Sequence, residues 1–197
     1  MAFDFHNHQT NVSKDRKIQS SGNIIVGRIT EVGARRWKVD VNAGQSAILM
    51  LSSINLPDGT QRRRTYEDQL QMRNFYEESD LISAEVQNFY GDGAIALHTR
   101  SLKYGKLQNG RILNVPPVLI KRLKQHFVTL PIGVDTILGN NGYIWITETL
   151  ESRIFEDKSQ VTAEKAEAAR KIHANKVISL KSREKICRVY NSICALR

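Results

Sequence analysis

The stretch Phe89–Leu107, FYGDGAIALHTRSLKYGKL, decides how the chain is read. Gly91-Asp92-Gly93 marks a turn, and Ala94–Thr99 after it reads as the last strand of a small β-barrel. The second half, Ser101–Leu107, is basic and turn-like and leads into a different pattern, so the stretch is a seam between two modules. It also opens the longest acid-free window of the chain. Between Asp92 and Asp135 there is no Asp or Glu, while Arg100, Lys103, Lys106, Arg111, Lys121, Arg122 and Lys124 are all cationic. A single sign of charge over that length is a field, and it favours a polyanionic partner.

Working back from the seam, Leu81–Phe89 reads as a fourth strand. Before it lie Ile24–Val32, interrupted by Gly27, then Arg36–Val41, where Trp37, Val39 and Val41 alternate with Arg36, Lys38 and Asp40, and then Ala47–Leu51. The period of two is that of half-buried strands. Between the third and fourth strands, Pro57-Asp58-Gly59 signals a turn and Arg62, Arg63 and Arg64 follow. Thr65 then stands three residues before Asp68, as in a capping box, with Leu70, Met72, Phe75 and Tyr76 as one apolar stripe of a short helix. Five strands with an excursion after the third match the OB barrel.

Working forward, Gly110–Val115 reads as a strand stopped by Pro116-Pro117. Pro117 suits the first turn of a helix. Leu119, Ile120, Leu123 and Phe127 recur at helical spacing up to Pro131. Val134–Leu138 and Tyr143–Thr147 flank Gly139-Asn140-Asn141-Gly142, whose residues tolerate positive φ, so a hairpin is expected there. Val161–Lys176 and Arg183–Leu196 read as helices, the latter capped by Ser182 with Ile186, Val189, Tyr190, Ile193 and Cys194 on its apolar side. The fold class is therefore a five-stranded OB/S1-type barrel followed by an α+β domain with C-terminal helices. The divisions are a flexible 1–21, a barrel domain 22–101 and a second domain 102–197.

The totals agree with two small domains. The chain has 197 residues, 41% of them hydrophobic, and a net charge of +9. The charge points to nucleic acid first, an anionic membrane second, and a merely solvated basic surface otherwise. Cys187 and Cys194 stand two helical turns apart, about 10 Å, too far for a disulfide. They are expected on a buried face in a reducing compartment. No apolar run is long enough to span a membrane, and MAFDFHNHQT lacks the pattern of a signal peptide. An intracellular, soluble protein is expected. His6-Asn7-His8 has no companion ligands and is not read as a metal site.

The runs SGNIIVGRITEV, RRWKVDVN, LMLSSINLP, RRRTYEDQLQMRNF, SLKYGKL and GNNGYIWI together resemble the ribosomal RNA-processing protein 4 family, the S1-plus-KH cap subunits of the eukaryotic RNA exosome. The resemblance runs from about Ser20 to the C-terminus. It implies an S1-type RNA-binding domain, a divergent KH-type domain and a non-catalytic cap subunit. Such a subunit guides RNA into the exosome for 3′-to-5′ processing and decay, in rRNA maturation and mRNA turnover. It implies single-stranded RNA and the other ring and cap subunits as partners, in the nucleus and nucleolus and also the cytoplasm. The family carries an N-terminal β-rich domain that docks on the ring. Its place is taken here by about twenty polar residues, so a truncated isoform, an incomplete gene model or a diverged paralogue is expected.

Gly139-Asn140-Asn141-Gly142 spells the GXXG with which KH domains clamp an RNA backbone. That clamp belongs between helices. Strand-like flanks make the loop a structural hairpin, with Trp145 expected to pack nearby, against the barrel. The RNA surface is expected elsewhere: Arg35, Arg36 and Lys38 at the first hairpin, Arg62, Arg63 and Arg64 in the excursion, Arg100, Lys103 and Lys106 at the seam, and Lys121, Arg122 and Lys124 beyond it. Tyr90, His98 and Tyr104 are the candidate stacking groups, while Trp37, Phe75 and Phe127 are read as core. No carboxylate cluster, P-loop or zinc spacing is present, so no enzyme, cofactor, metal, small-molecule or membrane partner is expected. Two other readings stay open: a structural exosome interaction subunit with little RNA binding, and a nuclease.

Overall fold

A computed structural model describes residues 18, 20–55, 63–91, 93–149 and 163–196, with 163–167 as backbone alone. His6-Asn7-His8, Pro57-Asp58-Gly59, Arg62 and Asp92 lie outside these residues.

The first sheet contains β1 (Ile24–Val32), β2 (Arg36–Asp40), β3 (Ala47–Ile54), β4 (Leu81–Phe89), β5 (Ile95–Thr99) and β6 (Gly105–Leu107). Its strand order is β1-β2-β3-β5-β4-β6, and pairing of β1 with β4 closes five of the strands into a barrel. The alternation visible in the sequence is the alternation of burial. Trp37 and Val39 face the core, while Arg36 is exposed and Lys38 and Asp40 are half-buried. Trp37 fills the barrel, and its indole N–H donates to the Tyr76 carbonyl at 3.0 Å. The polar atom of this large buried ring is thus satisfied.

Between β3 and β4 the capping box forms as expected. The Asp68 amide donates to Thr65 Oγ1, and the Thr65 amide donates to Asp68 Oδ2. The single helix expected there is two, α1 (Tyr66–Leu70) and α2 (Met72–Phe75). The break rotates the stripe: Met72 and Tyr76 enter the core and Phe75 packs against it, while Leu70 is left exposed.

The seam is a loop thrown out of one interrupted strand. β5 pairs antiparallel with Glu85–Phe89 of β4, and β6 continues along the same edge with Leu81–Ser83. Residues 100–104 have no counterpart on β4 and project from it. The first sheet therefore runs on to Leu107, past the boundary expected at residue 101.

The second sheet has order β7-β10-β9-β8, with β7 (Gly110–Asn114), β8 (Phe127–Leu130), β9 (Val134–Leu138) and β10 (Tyr143–Glu148), all antiparallel. Two helices follow, α3 (Ala163–Asn175) and α4 (Leu180–Ala195). Ile186 of α4 is buried against this sheet, with Val189, Tyr190 and Ile193 beside it. Ser179, not Ser182, caps α4 by accepting from the Ser182 amide. Cys187 and Cys194 are both exposed, contrary to the expected buried face, because α4 turns Ile186 rather than its neighbour to the sheet.

The helix expected after Pro117 does not form. Pro117–Leu119 makes one 3-10 turn, the chain then runs irregularly, and Phe127 already belongs to β8. Ile120 alone of the expected stripe packs inward before the strand; Leu119 and Leu123 are exposed. His126 replaces helical bonding. Its Nε2 accepts from the Leu123 amide at 3.3 Å and its Nδ1 faces the Leu138 carbonyl at 2.7 Å. Pro131 lies in the β8–β9 turn.

The two sheets share a third core of Ile24, Val26, Tyr104, Ile137 and Trp145. Trp145, expected beside the hairpin, packs between the sheets.

Candidate nucleic-acid interface

Strand direction explains why basic loops gather. β1 and β5 both run antiparallel to β4, and β3 runs parallel to β5. The C-terminal ends of β1, β3 and β5 therefore share one end of the barrel, and the loops leaving all three emerge there. Those loops carry Arg35, Arg63 and Arg64, and Arg100 and Lys103, and Arg36 opens β2 beside them. Direct contacts confirm the adjacency. The Leu51 amide donates to the Arg35 carbonyl at 3.0 Å. Arg64 donates through Nε to the Leu51 carbonyl at 3.1 Å and through Nη2 to the Ile54 carbonyl. Asn55 Nδ2 donates to the Arg100 carbonyl.

Between this end of the barrel, the seam and α3 lies a groove of about 270 Å³, with Asn55, Thr99, Leu102, Gln108 and Lys171 among its walls. Arg170 closes one side by donating to the carbonyls of Leu102 and, at 2.7 Å, Tyr104. It thereby fixes the root of the projecting loop. Gly105, with φ +140, admits this approach: a Cβ there would stand 3.2 Å from the Arg170 guanidinium.

The expected cations divide by environment. Arg36, Arg63, Arg100 and Lys103 are exposed and make no ion pair among the described residues. Arg35 is exposed and its Nε donates to Gln69 at 3.0 Å. Lys38 pairs with Glu31 at 2.5 Å, and Lys106 pairs with the largely buried Asp80 at 2.7 Å. Arg64 donates to the backbone carbonyls of Leu51 and Ile54 and so braces the end of β3. Lys121, Arg122 and Lys124 are exposed on the irregular segment after the 3-10 turn.

The stacking candidates fare differently. Tyr104 is buried in the shared core and its hydroxyl donates to Glu85 Oε2 at 2.6 Å. Burial and that carboxylate push the phenol far above its ordinary range. Its ring is not offered to a base. His98 lies edge-on to Tyr104 at 6.3 Å. Burial holds its imidazole below the usual range, Glu85 opposing and Arg100 and Lys103 adding to the effect. Tyr90 is 45% exposed, but it sits at the β4–β5 turn, a full strand away from Arg100. Lys103 Nζ stands over the Tyr104 and Phe127 rings at 4.8 and 5.9 Å. The surface is thus cationic and poor in free aromatic rings.

The GNNG loop lies at the opposite end of the barrel and is occupied by protein. β2 pairs with β1 only from Arg28 onward, which leaves the edge of β1 open at Ile24 and Val26. Asn140 and Asn141 close it. The Asn140 amide donates to the Ile24 carbonyl at 2.8 Å, and Asn140 Oδ1 accepts from the Ile24 amide at 3.2 Å. Asn141 Oδ1 accepts from the Val26 amide at 3.4 Å, while its Nδ2 donates to the carbonyls of Val26 and Val41 at 2.7 and 2.9 Å. The Asn140 backbone amide and Oδ1 and the Asn141 side-chain amide thus supply the groups a neighbouring strand would offer, and Asn141 is buried. Alongside, the Tyr143 hydroxyl donates to Asp40 at 3.1 Å, and its pKa is pushed up to about 12 by burial and that carboxylate. The sequence marked this loop as a turn; nothing local in it signalled the strand edge it fills.

Among the described residues no group of three His, Cys, Asp or Glu is placed to hold a metal ion.

Comparison with known proteins matches residues 18–88 to the S1 domain of RRP4 and residues 110–152 to a KH domain. The chain is 48% identical to the exosome complex component rrp4 of Schizosaccharomyces pombe over 82% of its own length and 49% of the relative's. It is 58% identical to exosome complex component RRP4 of Mus musculus over 67% and 45%. It is 45% identical to the RRP4 homolog of Arabidopsis thaliana over 89% and 55%. The chain therefore spans about half the length of the curated relatives it matches. A solved structure described as an exosome complex RNA-binding protein superposes with a TM-score of 0.52 at 19% identity, covering 90% of this chain and 97% of that one, and shows the shared fold. With an S1 domain of the RRP4 type, a KH domain behind it and this level of identity across kingdoms, the chain belongs to the RRP4 family.

Proposed function

We propose that the protein is a non-catalytic, RNA-binding cap subunit of the RNA exosome. In this reading single-stranded RNA crosses the basic end of the barrel on its way to 3′-to-5′ processing and decay. One observation carries it: the parallel exits of β1, β3 and β5 bring Arg36, Arg63, Arg100 and Lys103 to one barrel end, exposed and without ion pairs among the described residues. S1 and KH units are binding modules, and the relatives are named as exosome components. We place the protein with its complex in the nucleus, including the nucleolus, and in the cytoplasm.

Few free rings face this surface, so phosphate contacts dominate the affinity. A fluorescence-anisotropy titration of the full chain with single-stranded RNA is expected to weaken steeply with salt. With four phosphate contacts, log K against log salt falls with a slope of about −3. No binding at low salt would favour the structural-subunit reading, and binding with a slope near zero would overturn the phosphate-contact account.

A further inference from the structure

We infer that residues 116–125 form a second, protein-docking surface that takes an apolar patch rimmed by carboxylates on a neighbouring exosome subunit. The inference rests on the reading of the chain as an exosome subunit and adds a contact site that the RNA surface does not include.

The sequence there has the apolar content of a core helix, yet only one 3-10 turn forms and three of its four aliphatic side chains stay in water. Val118, Leu119 and Leu123 are 60%, 59% and 41% exposed. Isolated exposed aliphatics need no explanation, but three within six residues on one ordered segment form a patch. The segment is held from behind. The Leu119 and Ile120 amides donate to the carbonyls of Pro116 and Pro117 at 3.0 and 3.2 Å, and Ile120 packs into the core of the second sheet. At the far end, buried His126 accepts the Leu123 amide. With its backbone fixed and its aliphatics facing out, the segment loses little freedom on docking.

The choice between protein and RNA follows from residue type. A single-stranded RNA surface offers aromatic or guanidinium planes for bases. Residues 116–125 offer one guanidinium, Arg122, and no aromatic ring, and what sets them apart is that Val118, Leu119 and Leu123 are exposed branched aliphatics, which suit protein packing rather than base stacking. The rim fixes the partner's charge: Lys121, Arg122 and Lys124 are exposed and make no ion pair among the described residues, so carboxylates around the partner's apolar patch would complement them. In this reading the three cations, expected from the sequence at an RNA surface, face a protein partner instead.

The test uses the full chain and the other exosome subunits of the same organism, each purified and presented singly in biolayer interferometry. Leu119→Asp and Leu123→Asp are combined; both positions are exposed, so the melting temperature is expected to hold within about 2 °C. At least one subunit should bind the wild type, and the double variant should weaken that binding about 30-fold or more, as loss of a central apolar anchor does. Affinity for single-stranded RNA, measured alongside, should stay within about twofold, since no phosphate contact is removed. Unchanged subunit binding overturns the inference while leaving the RNA reading intact. A loss of RNA affinity with subunit binding retained makes the segment an RNA surface and also overturns it. If no subunit binds the wild type, the inference is overturned, and the salt-dependent RNA titration decides the RNA-binding reading separately.

Discussion

Gly142→Ala should lower the unfolding free energy by about 3 kcal/mol or more, and the melting temperature by about 6–12 °C, while leaving RNA affinity unchanged wherever the variant is folded. Gly142 has φ +93, in the region that favours glycine. A Cβ there would lie 2.3 Å from the Val115 carbonyl oxygen and 3.2 Å from the Pro117 ring. The first of these is backbone and cannot swing aside. Movement would also disturb the Val115 amide, which donates to the Gly142 carbonyl at 2.9 Å, and the Gly142 amide, which donates to Gly139 at 3.0 Å. Beyond the turn itself, Asn140 and Asn141 would shift from the β1 edge and expose buried backbone groups to no partner. Gly44→Ala is the matched control: it has nothing within 4 Å of the added carbon, and its stability should change little. Differential scanning calorimetry of the two variants reads the difference directly.

Reversing charge at the barrel end should act on binding and spare the fold. For Arg36→Glu, Arg100→Glu and Lys103→Glu combined, the expected loss of single-stranded RNA affinity is about 100-fold near 0.1 M salt, with a salt slope shallower by about 2, as removal of three phosphate contacts requires. All three side chains are exposed and free of ion pairs among the described residues, and only Lys103 gives up a contact, that with the Tyr104 and Phe127 rings, so the melting temperature should fall by no more than about 4 °C. Lys106, which the sequence placed in the same set, is left out because it faces the largely buried Asp80. Its reversal would set two carboxylates together and confound binding with stability.

The barrel was legible in the sequence because a half-buried strand writes its burial as an alternation, and Trp37-Val39-Val41 does so. The hairpin at residues 139–142 was legible for a different reason: only a few residue types accept its dihedrals. What these local signals do not contain is the partner. That β5 and β6 continue one edge of β4, so that Arg100 and Lys103 are thrown out between them, depends on pairings that run from Phe89 with Ile95 out to Leu81 with Leu107. The docking of Asn141 onto Val26 spans 115 positions. The segment after Pro117 misled because Leu119, Ile120 and Leu123 share the spacing of a helix face, whereas the chain there is organised by His126 and by the need of Phe127 to enter a sheet. Tyr104 and Lys106 were taken for surface groups because they stand in a basic run. The β6 pairing turns Tyr104 into the core and brings Lys106 to Asp80, and no composition rule separates them from Lys103. The three basic loops were each visible, but their convergence follows from strand directions that only the closed barrel fixes.

The central claim is that RNA is held by the basic end of the barrel and that the GNNG loop is a structural joint. Asn140→Asp tests it most directly. The substitution keeps an acceptor for the Ile24 amide and sets a negative charge where a KH clamp would meet phosphate. Its single-stranded RNA affinity, measured by anisotropy beside the wild type and the triple barrel-end variant, should stay within about twofold while the triple variant loses about 100-fold. A tenfold or greater loss for Asn140→Asp, with the triple variant binding like the wild type, would contradict the account and return the RNA to the loop.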